Sequence, residues 1–344
     1  MSRIAHLNLA RGYRGGERQT ELLIRELARR GVAQRLVARR GQPLAARLAD
    51  LSDLEIVPVR KPFAMHLAAV RGAVLHAHET RAAQLAWLRS RVAGTPYIVT
   101  RRIGKRPSAS VVTRAIYRDA AACVGVAGSV AREIADYANR DVATIYSALS
   151  DLPVDPTRAR ALRKRWGDAF VVLNVAALVD AQKGQSHLIE AARRAAAQRP
   201  SMHFVLAGAG RDRQVFERQA NGLANVEFAG FVDNVGDYLA AADAFVLPSR
   251  HEGIGGAALD AMRAGLPVVA SAVDGLPEFV DDGYNGLLVP PGDPNALYDA
   301  IARLQDEPEL ARSLGTAGRR TAVRFSVARM ADAYQALYAR IAHV

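Results

Sequence analysis

The stretch AFVLPSRHEGIGGAALDAMRAGLPVVAS, Ala244 to Ser271, contains a complete folding unit. The apolar run before Pro248 is strand-sized, Gly255 and Gly256 open a segment with helical periodicity, Gly265 stops it, and PVVAS is a second apolar run. Strand, helix and strand joined this tightly form a βαβ unit, which requires a parallel sheet and a crossover helix. The same stretch places two acids, Glu252 and Asp260, on either side of the glycine turn. A helix that starts at glycine offers unpaired N–H groups and a positive dipole end, which suit a phosphate. Asp260 lies four residues after Gly256 and three after Ala257, on the helical face of those amides, where a carboxylate can accept from ribose hydroxyls. Taken singly, Glu252 reads as the partner of an arginine and Asp260 as a solvated helix residue. Their joint spacing around the turn points to a ligand.

Outward from this unit the same alternation fills the chain. Strand-like runs in the first half are IAHLNLA, QRLVARR, LEIVPVR, AVLHAH, YIVTRR, ACVGVA and VATIYS, separated by amphipathic stretches such as ERQTELLIRELARRG. SALSDLPVDPTRAR, Ser147 to Arg160, breaks the alternation with two prolines and two aspartates and reads as a linker. The pattern then restarts with FVVLNVAAL, HFVLAG, VEFAG, AFVLPS, PVVAS and GLLVPP. At 344 residues the chain is long enough for two domains. The expected fold is α/β, with two doubly wound Rossmann-like domains whose parallel sheets face across a cleft, since ligands of such sheets bind beyond the carboxyl ends of the strands. The expected domains are residues 1–150 and 151–325. The amphipathic stretch 326–344 is expected to pack back toward the first domain.

Composition narrows the function class. The single cysteine, Cys123, excludes a disulfide framework and a cysteine-rich metal site. No apolar run reaches the ~20 residues of a membrane span, and the N-terminus enters a strand without a signal-peptide pattern, so a cytoplasmic chain is expected. A net charge of +12 attracts anions such as acidic headgroups or phosphorylated small molecules, and it reads equally as a bias spread over the whole chain. With 6% aromatic residues and no recognisable module, nucleic acid is not an expected partner.

EGIGGAALDAMRAGLPVVASAVDGLPEFVDDGYNGLLVPPGD resembles the donor-site signature of family 4 of the retaining glycosyltransferases, which have the GT-B fold. That signature is an acid, seven residues and a second acid, then a Gly-Pro strand and a Gly-x-Pro-Glu turn. Asp260 stands where the family usually has glutamate. AALVDAQKGQSHLIEAA resembles the family's phosphate-binding loop, with Lys183 at the lysine position and Ala177 where an arginine is usual. LAGAGRDR, with Gly208, and VEFAGFVDNV, where the family holds the base through backbone around Val232, also fit. In the first half RGYRGGERQ places Gly15 and Gly16 where family members bring a mobile loop to the donor, and LHAHE places His78 at the family's active-site histidine. Arg101, Arg102, Lys105 and Arg106, in YIVTRRIGKRP, follow a strand and are expected to face one side. They read equally as an acceptor-binding patch and as a solvated basic loop.

The resemblance implies a glycosyltransferase that moves a sugar from a UDP-, GDP- or ADP-linked donor to a hydroxyl with retention, with Glu252 and His78 at the reacting sugar. The donor would be held by Gly15, Gly16, Lys183, Gly208, Val232, Gly255, Gly256, Ala257 and Asp260. No Asp-x-Asp motif occurs, so neither a metal nor another cofactor is expected. The expected acceptor is an anionic or lipid-linked saccharide of lipopolysaccharide core or another surface polysaccharide, at the cytoplasmic face of an inner membrane. A transferase acting on a soluble phosphorylated acceptor and a catalytically silent nucleotide-sugar binding protein are the alternatives.

Overall fold

The computed structural model describes residues 4–104, 106–149 and 151–342. The chain divides into two compact units, one built from the residues up to Ala148 together with those from Phe325 on, the other from Leu149–Arg324.

The first unit is a seven-stranded parallel sheet of β1 (Ile4–Asn8), β2 (Gln34–Arg39), β3 (Leu54–Val59), β4 (Val74–Ala77), β5 (Tyr97–Arg101), β6 (Ala122–Gly125) and β7 (Ala143–Thr144). Their spatial order is β3-β2-β1-β4-β5-β6-β7. Pro58 is accommodated because β3 is an edge strand, where a missing N–H breaks no ladder bond on its open side. Every residue of β1 and β4 is buried, including the polar His6, Asn8 and His76. Strands covered on both faces read as apolar runs, so a polar residue in one must find a partner inside. The helix Val327–Ala342 buries Met330, Ala331, Tyr334, Leu337, Tyr338 and Ile341 at helical spacing, in one cluster with Leu23 and Leu27 of the helix Gly15–Arg29.

The second unit is a six-stranded parallel sheet of β8 (Phe170–Val175), β9 (Met202–Ala207), β10 (Val226–Gly230), β11 (Ala244–Leu247), β12 (Val268–Ser271) and β13 (Leu287–Val289), in the order β10-β9-β8-β11-β12-β13. Both orders run outward from the first strand and then reverse, which defines a doubly wound sheet. The reversal falls between β1 and β4 in one unit and between β8 and β11 in the other.

Two expectations are corrected. The stretch read as a linker up to Arg160 ends at Asp155, which caps the helix Pro156–Trp166 by accepting the Thr157 and Arg158 N–H groups at 2.8 and 3.2 Å. Asp-Pro is therefore a helix start here, with a capping carboxylate followed by a residue that needs no N–H partner. The run VATIYS forms a strand only over Ala143–Thr144.

Candidate functional site

In the second unit, the loops after β8 and β11 meet beyond the strand reversal. The β8 loop contains the short helix Asp180–Lys183 and turns at Gly184, whose φ is 62°. A Cβ on Gly184 would lie 2.2 Å from the Pro248 carbonyl oxygen, so only glycine lets the two loops approach this closely. The Arg250 and His251 N–H groups both donate to the Gln182 carbonyl, at 2.9 and 3.1 Å. The loops are thus joined through backbone, and the join sets the position of Glu252.

Glu252 is buried, and its Oε2 accepts from Lys183 Nζ at 2.5 Å and from Ser249 Oγ at 3.0 Å. Its own N–H donates to Asp274 Oδ2 at 2.7 Å. The sequence places Lys183 and Glu252 at one site, and the structure makes them an ion pair. The helix Gly256–Ala264 starts immediately after, with Gly255 as its left-handed cap. The first N–H groups of the helix, on Gly256 and Ala257, precede the residues whose N–H reaches an intrahelical carbonyl: Ala258 and Leu259 both donate to the Gly255 carbonyl. Nothing lies within 4 Å of a Cβ built on Gly256, and its φ is not left-handed. The fold therefore does not require glycine there, and the space before it is open. Asp260, half-buried, follows one turn later on this helix.

The remaining positions of this half separate by role. Gly208 follows β9, and a Cβ there would sit 1.8 Å from the Ala176 carbonyl oxygen, so this glycine serves the packing of the β9 loop onto the β8 loop. Val232 is half-buried just past β10, next to Phe231, which is 72% exposed. Ala177 contributes its carbonyl, which accepts from the Val179 N–H and from Gln185 Nε2. A cation is nonetheless present near this loop, because Arg250 Nη2 lies 3.5 Å from both Asp180 Oδ2 and Ser186 Oγ.

In the first unit, Gly15 and Gly16 begin the helix after β1, and neither has a left-handed φ. The Glu17 carboxylate accepts the Arg14 N–H at 2.9 Å and sets the start of this helix. His78 follows β4, where its N–H donates to the Leu7 carbonyl and its ring is buried beside those of His6 and His76. His6 Nδ1 and His78 Nε2 are 3.0 Å apart, and the His76 and His78 ring centres are 3.9 Å apart. His76 uses both ring nitrogens, one with the Tyr338 hydroxyl at 2.6 Å and the other with Thr100 Oγ1 at 2.7 Å. Thr100 also meets the Tyr334 hydroxyl at 3.0 Å, so the last helix brings two hydroxyls, four residues apart, to the cluster. Burial lowers the His6 pKa to about 4. Burial first, and neighbouring positive groups second, hold His76 and His78 well below the usual histidine range. All three rings are therefore neutral at pH 7.

The arginines after β5 do not share one side, which corrects the expectation. Arg102 Nη2 lies 3.2 Å from His78 Nδ1, whereas Arg101, its strand neighbour, points to the Tyr117 hydroxyl. Adjacent residues of an extended chain face opposite ways, and that alone parts them. Arg106 is exposed and lies 3.5 Å from Glu133. Lys105 falls outside the described residues.

Of the groups that gather at these sites, His6, His76, Tyr334, Tyr338, Ser249 and Asp274 were not singled out in the sequence. The His-x-His of LHAHE was a usable signal, because residues two apart on a strand share a face. The ligand atoms of His6, His76 and His78 lie within 4.8 Å of one another, a spacing a metal ion could use. The positive charge of Arg102 on the same cluster opposes a cation there.

The family model described as glycosyl transferases group 1 matches residues 169–307. The chain is similar to LpsE of Rhizobium meliloti, a lipopolysaccharide core biosynthesis glycosyltransferase, with 36% identity over 176 residues, 50% of either chain. It is also similar to the alpha-D-kanosaminyltransferase of Streptomyces kanamyceticus, with 30% identity over 302 residues, 78% of either chain. Among solved structures, Anabaena HepE in complex with UDP and glucose superposes with a TM-score of 0.86 at 20% identity, covering 99% of this chain and 100% of the other. The chain spans about half the length of several curated relatives that it matches.

Proposed function

We propose that this chain, which belongs to the glycosyl transferases group 1 family, transfers a sugar from a nucleotide diphosphate donor to an acceptor hydroxyl with retention at the anomeric carbon. One observation carries the reading: at the strand reversal of the second unit a lysine–glutamate ion pair stands beside a helix N-terminus whose leading glycine faces open space. Solved complexes of HepE with UDP, with UDP-glucose, and with UDP and glucose support a nucleotide-sugar donor.

In this reading the second unit binds the donor and the first unit binds the acceptor. The Gly256 and Ala257 amides and Lys183 take the diphosphate, and Asp260 takes the ribose. The bond between the anomeric carbon and phosphate oxygen breaks with its electron pair going to the leaving diphosphate. Positive groups already in place stabilise that charge without reorganising. The acceptor oxygen bonds to the same face of the sugar and its proton passes to the leaving phosphate. Glu252 holds sugar hydroxyls while the ring carries positive charge. Lys183 is then shared between Glu252 and the diphosphate, so donor binding changes how strongly the glutamate is neutralised.

The acceptor we infer is an anionic or lipid-linked saccharide of a surface polysaccharide, met at the cytoplasmic face of a membrane. The likeness to LpsE and the net charge support this. Among the described residues no helix is long and apolar enough to cross a membrane. A thermal-shift panel of UDP-, GDP- and ADP-sugars tests the donor, since a ligand that binds only the folded chain raises its apparent stability. Product analysis by NMR then tests retention. A panel with no stabilising nucleotide sugar, or an inverted product, overturns the proposal.

A further inference from the structure

The contacts of His78 have a direction. Gln34 Nε2 donates to the Ile24 carbonyl, which turns Gln34 Oε1 toward His6 Nε2 at 3.1 Å. A carbonyl oxygen only accepts, so the His6 proton is on Nε2 and its Nδ1 is a bare acceptor. His78 Nε2 must then donate to it, across 3.0 Å, which leaves His78 Nδ1 without a proton. Arg102 Nη2 faces that nitrogen at 3.2 Å, and arginine only donates. The two ends of the chain therefore impose the same polarity: Arg102 to His78, His78 to His6, His6 to Gln34, Gln34 to Ile24.

Two consequences follow. The His78 proton points inward and its lone pair is taken, so the ring has nothing with which to exchange a proton with a substrate. The lone pairs of His6 and His78 that a metal ion would use are already engaged. What remains chemically unsatisfied is Arg102. Its Nε is buried without a hydrogen-bond partner, and no carboxylate hydrogen-bonds its guanidinium among the described residues. Glu17 is the acid whose charge reaches it. Its stem passes Gly16, where a Cβ would be 3.5 Å from Arg102 Cδ. A cation held in a largely desolvated position without a paired anion is costly, and a ligand anion removes that cost.

We propose that Arg102 is the group with which the first unit receives a phosphate-type anion, and that His78 is a positioning residue for it. This rests on the reading of the chain as a transferase with a phosphate-bearing substrate. The anion is either the donor's diphosphate or a phosphate on the acceptor.

The test uses the whole chain with 15N-labelled histidine. Long-range 1H–15N spectra at pH 7 should show His6 and His78 as neutral Nε2–H tautomers. UDP and, separately, glucose 6-phosphate are titrated in, and the His78 Nδ1 resonance should move with at least one of them. Movement with UDP assigns the donor, and movement with the sugar phosphate assigns the acceptor. Arg102→Gln should abolish the movement and weaken the responding probe about tenfold or more by calorimetry, as expected for a charge-assisted contact. His78→Asn, whose Oδ1 can occupy the Nδ1 position, should keep affinity within about threefold, whereas His78→Leu should lose as much as Arg102→Gln. An Nδ1–H tautomer on His78, no movement with either probe, or undiminished affinity in Arg102→Gln overturns the assignment. Absence of UDP binding to the unaltered chain would instead count against the donor reading, and the sugar phosphate would still decide the role of Arg102.

Discussion

Lys183 Nζ lies 2.5 Å from Glu252 Oε2, and the two side chains are only 15% and 10% exposed. The charge expected to meet the diphosphate is thus already committed to the acid expected to meet the sugar. From the sequence Lys183 is a phosphate ligand whose removal spares the fold. The ion pair changes that expectation, because deleting one member leaves the other charge buried and alone. Lys183→Met should cost about 3 kcal/mol of stability and most of the UDP affinity. Adding Glu252→Gln should restore most of the stability and none of the affinity. Urea unfolding and calorimetry of the single and double variants measure both, and additive stability losses would show that the pair does not couple.

Glu252 and Asp260 should separate in kinetics. Contacts that strengthen in the transition state lower turnover when removed, whereas contacts made equally in both states raise the Michaelis constant. Glu252→Gln should lose about a hundredfold or more in kcat with donor affinity nearly kept, as expected for loss of a preorganised electrostatic contact. Asp260→Asn should mainly raise the donor KM, and Asp260→Glu should be tolerated. Full turnover by Glu252→Gln with the identified donor would refute its role at the sugar.

The fold was legible because parallel strands buried on both faces must be apolar and short: the seven strands of one sheet and the six of the other each coincide with an apolar run in the sequence. Positions along the chain were legible too, since the glycine turns mark the starts of helices after strands. Partnerships were not. Lys183 and Glu252 are 69 residues apart, and His6 and His78 are 72 apart, so neither pairing leaves a local signature. Asp274, which holds the Glu252 N–H, has a left-handed φ of 47° that no neighbouring residue announces. The split between Arg101 and Arg102 was readable from strand alternation, and treating them as one basic patch missed it.

The histidine chain should make stability depend on pH. Burial lowers the folded pKa of His6 to about 4, below its unfolded value near 6.5, so between those values the unfolded chain binds the extra proton. Stability is therefore complete above about pH 6.5 and falls as pH drops toward 4, by about 1.4 kcal/mol per pH unit for this one residue. His76 and His78 act in the same direction. Carboxylates such as Glu26, held at about 2 by Arg29 and Arg30, lose their contribution at lower pH, between about 4.5 and 2. Urea unfolding from pH 7 to 5 should show the decline, and His6→Gln should flatten it. An unchanged slope in that variant would mean that His6 titrates normally.

Two adjacent glycines give the sharpest separation between fold and binding. Gly255 has a φ of 74°, and a Cβ there would lie 2.4 Å from Leu276 Cδ2, so Gly255→Ala meets both backbone strain and a clash. Its cost should be about 2 kcal/mol or more. Gly256 is the first residue of the helix, lacks a left-handed φ and has nothing within 4 Å of a built Cβ. Alanine is the better helix former by up to ~1 kcal/mol, so on fold alone Gly256→Ala should be neutral or stabilising. If the open space is where a diphosphate approaches the amides, the added methyl must push that ligand away. Gly256→Ala should then match or exceed the parent in thermal stability while binding UDP at least tenfold more weakly, a loss of about 1.4 kcal/mol or more. A variant that is equally stable and binds UDP as the parent does would show that the helix N-terminus is not the phosphate site, and the donor reading would lose its main support.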